Sequence, residues 1–435
     1  MSRLRERLRA LGLSVGLALA VTAVLSGGSA PPPASTLQVA GQPHAAAEPV
    51  RPPVPAGPPG LALGPAPGAA AVPVTVPVTV AATAATLDAV SLADAQGRPV
   101  PGDFTDVYRR GWHTSAPLAY STRYTLSASG TGAEGQKVSQ TSTFTTVHPA
   151  NVTMPYLQAN SGLSLAGRDT YGVGQVIVVH FDEHIPDRAA AQRALSVFTD
   201  PPAAGAWHWI DDQDVHWRPQ AYWKPGTRVS VTAATYGVDL GGGLYGQGDA
   251  AAQFTVGPSH VAVADDLTHQ IQVYIDGQLV RDVPTAMGMH TGAHGAHGEY
   301  IDFHTRSGVH VVLGNARVTR MTSASFGITT GPFHYDENVE WTTHVSYAGE
   351  YIHAAPWSVQ DQGHRDVSHG CINVNTQNAI WFYNTFVPGD VVDVRNTGVP
   401  LDLTDGIGDW NVPWPDWTAG SAVPVPPPAH QLART

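Results

Sequence analysis

Between residues 74 and 256 apolar and polar side chains alternate in short runs separated by glycine- and proline-rich turns, the period of half-buried β-strands. Val74-Thr75-Val76-Pro77-Val78-Thr79-Val80 predicts one such strand, with Pro77 suiting a sheet edge. Tyr124, Leu126 and Ala128 alternate with polar residues, and Thr141–Val147, Val176–Phe181, Trp207–Ile210, Val215–Trp217 and Val229–Ala233 continue the pattern. A weak internal repeat runs through it. Thr122–Ala128 parallels Thr227–Ala233, and each is followed by a Phe-Thr pair shortly before a proline: Phe144-Thr145 before Pro149, and Phe254-Thr255 before Pro258. Two immunoglobulin-like β-sandwich modules, 72–148 and 149–258, accommodate strands at this spacing.

After Pro258 the pattern changes. Gln270–Val280 alternates and is broken by Asp276-Gly277, a strong hairpin signal. Residues 376–386 read as the one clear helix, capped by Asn375, with Ala379, Phe382 and Phe386 on one face. Gly389-Asp390 then returns the chain to a strand at Val391–Arg395. These elements delimit a further β-rich domain, 259–396, and a Trp-rich C-terminal extension, 397–435. Trp410, Trp414 and Trp417 invite stacking on sugars, but the large area a buried indole removes from water favours packing of the tail onto domain 259–396.

The amino end reads as an address. Arg3, Arg5, Arg7 and Arg9 precede an apolar run from Ala10 to Leu25 and then small residues, so 1–30 is expected to be a signal peptide or a membrane anchor. Basic residues ahead of the run send the remainder outward, to the cell envelope: the outer face of the cytoplasmic membrane, the periplasmic space or the cell wall. Any membrane contact is expected only through this segment. Gly27 and Gly28 stand where a lipoprotein needs its cysteine, so lipidation there is excluded. Pro31 to Pro67 holds twelve prolines in 37 residues, and 31–71 is expected to be a semi-rigid linker.

Composition narrows the function classes. The formal charge of −12 argues against nucleic acid as partner, because phosphate binding needs a basic footprint. With 45 glycines and 36 prolines, long helical bundles are out. Cys371 is the only cysteine, which excludes an intrachain disulfide and any multi-cysteine zinc site. His290, His294 and His297 share one Gly-rich loop, yet no carboxylate stands at a helical offset from them, so a polar lid is expected there and no metal or cofactor.

A lone cysteine is usually a small buried hydrophobe. Its neighbours here change that reading: Ser368-His369-Gly370-Cys371-Ile372-Asn373 surrounds the thiol with hydrogen-bonding groups, and His353 closes the run Glu350-Tyr351-Ile352 upstream. A free thiol with a pKa of about 8.5 is only a few per cent ionised at neutral pH, so a nucleophilic cysteine needs a base, and His353 or His369 supplies one. On that basis replacing the base is expected to be partly rescued as the pH approaches the free-thiol value.

His353, fourteen residues, then Ser-His-Gly-Cys-x-Asn resembles the signature of the L,D-transpeptidases, cysteine enzymes that cross-link bacterial peptidoglycan. The likeness extends through Tyr335, Trp341, Tyr347, Ile352–Ser358 and Trp381–Tyr383, and the module order is similar to the actinobacterial subgroup. It implies a mainly β fold, with two immunoglobulin-like β-sandwich domains ahead of a β-rich catalytic domain. It implies Cys371 as nucleophile and His353 as proton acceptor and donor. His369 would shape the site, and the Gly370 and Cys371 amides would hold the oxyanion. Tyr335, Ala354, Trp357, Ser368 and Asn373 would form the substrate-binding set. The implied reaction is a 3→3 cross-link between peptidoglycan stem peptides, formed through a thioester with loss of D-alanine from a tetrapeptide donor. β-Lactams of the carbapenem class are the implied inhibitors.

Two departures from the family pattern matter. Ala354 stands where serine is usual, which is harmless if only the backbone carbonyl there orients the imidazole. Met287–His297 replaces a Pro/Thr-rich turn. Alternatives are an L,D-carboxypeptidase that uses water as acceptor, and a non-catalytic wall-binding surface protein. A sortase would need a downstream arginine, for which only Arg395 is near, and a papain-like hydrolase places its cysteine before its histidine.

Overall fold

The structure, a computed structural model, describes residues 56–425. The expected signal segment and most of the expected linker lie outside them. Among the described residues no helix is long and apolar enough to cross a membrane.

The first sandwich joins a four-stranded sheet (Gly60–Gly64, Thr79–Thr83, Gly111–Thr114, Gly102–Phe104) to a three-stranded one (Ala85–Asp94, Arg123–Gly132, Lys137–Thr145). Val80 and Trp112 from one sheet meet Leu87, Leu126 and Phe144 from the other in a single core. Two expectations are corrected here. Residues 60–64 are an edge strand paired with Thr79–Thr83, not spacer, because Leu61 and Leu63 project onto the core. The strand expected over 74–80 begins only at Thr79. Pro73 and Pro77 remove amide donors from what would be the ladder, so Val74 and Val78 are buried from irregular backbone instead.

The second sandwich joins a five-stranded sheet, containing Ile177–Phe181 and Asp214–Pro219, to a four-stranded one, containing Arg228–Ala233 and Ala250–Val256. The sequence repeat has a counterpart in strand register. Arg123 pairs with Thr145 and Tyr124 with Phe144, while Arg228 pairs with Thr255 and Val229 with Phe254. The sandwiches meet through reciprocal tyrosines: the Tyr120 hydroxyl donates to the Gly246 carbonyl, and that of Tyr236 to Leu118.

In the remaining unit a five-stranded sheet runs in the order Gln278–Pro284, Gln270–Ile275, His260–Asp265, Val391–Arg395, Gly308–Val311. A four-stranded sheet runs Gly314–Thr322, Asp336–His344, Tyr351–Ala354, Ile372–Val374. Helix Thr376–Thr385 seals the space between them with Ala379, Phe382 and the following Phe386, all fully buried. Its start is fixed by Asn375, whose side chain accepts from the Asn378 amide. The Asp276-Gly277 turn has positive φ at both positions, the geometry a two-residue hairpin demands.

The tail docks on the second sandwich rather than chiefly on the domain before it, which corrects the expectation for the tryptophans. Trp417 is fully buried, stacks on His208 at 4.5 Å and donates to the Ala206 carbonyl. The sandwich strand offers small Ala206 beside a flat imidazole, a seat shaped for an indole.

The second sandwich also abuts the domain that follows, through Val176 and Val178 against Val311 and Leu313, with Ile407 of the tail in the same cluster. At the rim Gly172 donates to the Pro388 carbonyl, and a Cβ on Gly172 would lie 2.2 Å from the Asp390 amide nitrogen. Gly172→Ala is therefore expected to force backbone apart and cost about 1–3 kcal/mol. Chemical denaturation checks this, and an unchanged midpoint would mean that the two backbones are not packed this closely.

Candidate active site

Strand Tyr351–Ala354 pairs in parallel with Ile372–Val374, placing His353 opposite Asn373 and Cys371 just before the neighbouring strand. Met321, Tyr335, Glu337, Val339, His353, Trp357, Val367, Ser368, His369, Cys371 and Asn373 enclose a cavity of about 170 Å³. A second cavity, about 310 Å³, opens on the other side of Cys371, Tyr335 and His369. Its remaining walls include Asp302, Arg306, Glu350 and Gly370. The thiol thus stands at the junction of two spaces, and seven of the nine residues singled out from sequence line the first of them.

His353 is almost fully buried. Its Nδ1 lies 3.0 Å from the Ala354 carbonyl, which can only accept, so Nδ1 carries the proton and Nε2 keeps a free lone pair. Burial holds the imidazole down at about 4, against the weaker support of that carbonyl, so it is neutral at physiological pH. The backbone atom is therefore what orients the ring. Ala354 itself lines neither cavity, which corrects its expected place among the substrate contacts. Ala354→Ser is expected to leave the acylation rate within about twofold, since the hydrogen bond that sets the tautomer is untouched. Stopped-flow quenching of protein fluorescence by a carbapenem measures it.

The thiol of half-buried Cys371 donates to the Gly349 carbonyl at 3.5 Å. Burial pushes it up to about 12, opposed by the Tyr351 amide and reinforced by the Glu350 carboxylate. Burial therefore favours a neutral thiol beside a neutral imidazole, and desolvation moves the thiol away from the free value expected from sequence.

The turn before Cys371 is locked internally. The Ser368 hydroxyl donates to the Cys371 carbonyl at 2.6 Å and accepts from the Gly370 amide at 3.1 Å. One of the two amides expected to hold an oxyanion is therefore already engaged. Gly370 has φ +129°, a conformation costly for any other residue. Its carbonyl accepts from Thr305 Oγ1. The His369 ring lies in an aromatic cradle, with ring centroids 4.6 Å from Phe303 and 5.1 Å from Tyr335, and burial lowers its basicity too. Asn373 donates to Ser358 Oγ, while its buried Oδ1 has no partner among the described residues. Trp357 is exposed at the rim.

Sequence reasoning missed the floor of the second cavity. His310, fully buried, sits 3.1 Å from Glu350, whose other oxygen accepts from the Arg306 amide. A carboxylate next to Tyr351-Ile352-His353 was the available signal. Arg395 pairs with Asp393 and lines neither cavity. The three loop histidines do not converge: His294 faces the Gly298 carbonyl and the His297 amide donates to Glu299, whereas His290 reaches Asp266.

Comparison with known proteins finds two family matches along the chain. Residues 259–394 match the L,D-transpeptidase catalytic domain, and residues 69–239 match a bacterial Ig domain. L,D-transpeptidase 2 of Mycobacterium tuberculosis is 41% identical over 77% of this chain and 78% of its own. L,D-transpeptidase 5 of the same species is 37% identical over 80% of this chain and 73% of its own. A solved structure of the LD transpeptidase LdtMt1 in complex with imipenem is 29% identical, covers 55% of this chain and 99% of that one, and superposes with a TM-score of 0.45.

Proposed function

The chain belongs to the L,D-transpeptidase family, and from that premise we propose that it works as a cysteine acyltransferase with Cys371 as nucleophile and His353 as its base. Its substrates are peptidoglycan stem peptides in the cell envelope, which requires export. The observation that carries the reading is the fixed tautomer of His353, whose free Nε2 lone pair shares a cavity with the Cys371 thiol.

With both partners neutral, the thiol proton passes to Nε2 as sulfur attacks, rather than from a preformed ion pair. The target is the carbonyl of the third stem residue of a tetrapeptide, meso-diaminopimelate in the lineage the family implies. Collapse of the tetrahedral adduct breaks the bond to D-alanine, whose nitrogen takes the proton from His353. The side-chain amine of a second stem then gives a proton to the same Nε2, attacks the thioester and releases the sulfur, which is reprotonated. Leaving and entering amines both meet Nε2, so both use the cavity lined by His353, and the acyl chain extends toward Arg306 and Glu350. The Cys371 amide is the primary oxyanion donor, and His369 braces the turn. Tyr335, Trp357, Ser368 and Asn373 frame the peptide, with Asn373 Oδ1 as an acceptor for a substrate amide. A carbapenem carbonyl presented to the same sulfur forms a dead-end acyl-enzyme.

The test is incubation of the full chain with disaccharide-tetrapeptide followed by mass spectrometry. A cross-linked dimer lacking one D-alanine supports transfer. Tripeptide alone would show that water is the acceptor, making the protein an L,D-carboxypeptidase. Unchanged substrate would sink both.

A further inference from the structure

Away from the two cavities that meet at Cys371, three segments bring ionisable side chains to one point. Asp266 follows strand His260–Asp265, His290 lies in the loop after Met289, and Asp366 stands in the loop that leads into Ser368. His290 Nε2 is 2.8 Å from Asp266 Oδ2 and 3.8 Å from Asp366 Oδ2. One ligand atom from each residue lies within 4.8 Å of the other two. Neither carboxylate has a lysine or arginine partner among the described residues. Asp266 is 3% exposed, and its buried Oδ1 has no hydrogen-bond partner among the described residues. His269 Nδ1, also buried and unpartnered, faces Asp366 Oδ1 at 3.4 Å.

We propose that Asp266, His290 and Asp366 form a site for one divalent cation of the zinc class, which fastens the loop carrying the nucleophile to the end of the central strand of the five-stranded sheet. Two carboxylates facing each other out of water with only imidazoles beside them repel when both are ionised, and a shared cation, like a shared proton, relieves this. Metal–ligand bonds of about 2.0–2.2 Å in a tetrahedron place ligand atoms roughly 3.4 Å apart, between the two separations to His290. Two oxygens and one imidazole nitrogen leave the fourth position for water, a donor set that suits zinc, cobalt or manganese better than magnesium.

The second carboxylate oxygen is committed in a way that orients the ligand: Asp366 Oδ1 accepts from the Met287 amide at 2.6 Å. The Met287 carbonyl in turn accepts from the amides of Val367 and Ser368, and the Ser368 carbonyl accepts from Met289. The ion therefore ties together the two loops that hold Ser368 in register, three residues from the thiol. It touches no reacting atom, and its role is to position. The site does not depend on the reaction proposed above, because it is defined by residues that line neither cavity.

The test uses the full chain carrying Cys371→Ala, so that the thiol cannot contribute, stripped with chelator and titrated with Co²⁺. The expected result is one ion per chain with visible d–d absorption, displaced by Zn²⁺, and a rise in melting temperature. His290→Ala, a change at a half-exposed side chain, and Asp366→Asn should each weaken binding at least tenfold and remove the thermal shift. If Asp366→Asn fails to fold for want of its Met287 contact, His290→Ala alone decides. Absence of d–d absorption at millimolar Co²⁺, or binding that His290→Ala leaves unchanged, would overturn the site.

Discussion

His353→Gln lowers the rate of acylation by a carbapenem roughly 10²–10⁴-fold at pH 7, the usual contribution of a positioned general base. Glutamine preserves much of the ring's volume, so the thiol stays desolvated and its pKa stays near 12. At pH 7 very few thiols are then ionised, and the residual rate climbs steadily with pH. It passes through pH 8.5 without levelling, where a solvated thiol would already have reached its plateau. In the parent protein the acid limb falls near pH 4, because His353 is the group that must be neutral and burial has moved it there from 6.5. His369→Ala, which disturbs the aromatic cradle rather than proton transfer, lowers the rate at all pH values without changing the profile. Intact-mass acylation rates against pH decide. A plateau near pH 8.5 in His353→Gln would show that the thiol is not buried from water, and a rising profile in His369→Ala alone would move the base to the other histidine.

Trp417→Ala costs about 3–5 kcal/mol of folding stability, the range for truncating a fully buried aromatic side chain. The loss exceeds simple area because Trp417 also covers a buried cation. Arg218, 2% exposed, stands 4.6 Å from the Trp417 ring centroid and 4.8 Å from that of Trp410, and it donates to the Val412 carbonyl. Removing the indole strips the apolar face from a guanidinium that water cannot fully reach. Beside it, His216 is paired at 2.7 Å with fully buried Asp409, so the whole tail is held by groups that lose their environment together. Equilibrium unfolding in urea measures the change, with Trp417→Phe retaining most of the stability. A cost below about 1 kcal/mol would mean that the tail does not belong to the cooperative unit.

The elements with a strong local signature were readable before folding was considered. Alternation over Tyr124–Ala128 and Val229–Ala233 reports strands because the side-chain period of a strand is two whatever it pairs with. Asn375 and Asp276-Gly277 report a cap and a turn because their chemistry acts within three or four residues. Misreadings arose where local and non-local demands compete. Val74–Val80 has the right period, but its prolines cannot supply the ladder. Leu61 and Leu63 sit in a proline-rich run, yet a neighbouring strand recruits them.

The candidate site divides along the same line. Sequence alone determined the residue types of the candidate site and the spacing of His353, Ser368, His369 and Cys371, because a thiol, two imidazoles and a tight glycine turn are legible in residue identity. It also determined that Ala354 could be tolerated if a carbonyl orients the ring, since every residue has one. Only the tertiary structure decided what those groups are. Burial sets the thiol near 12 and the imidazole near 4, and burial is a property of everything packed around them. Only it showed the Gly370 amide taken by Ser368 and Trp417 seated on a sandwich strand. Likewise Asp266 and Asp366, a hundred residues apart in the chain, meet at His290 because the end of one strand and two loops close on one another. Contacts between distant segments carry no period and no motif, so no local pattern announces them.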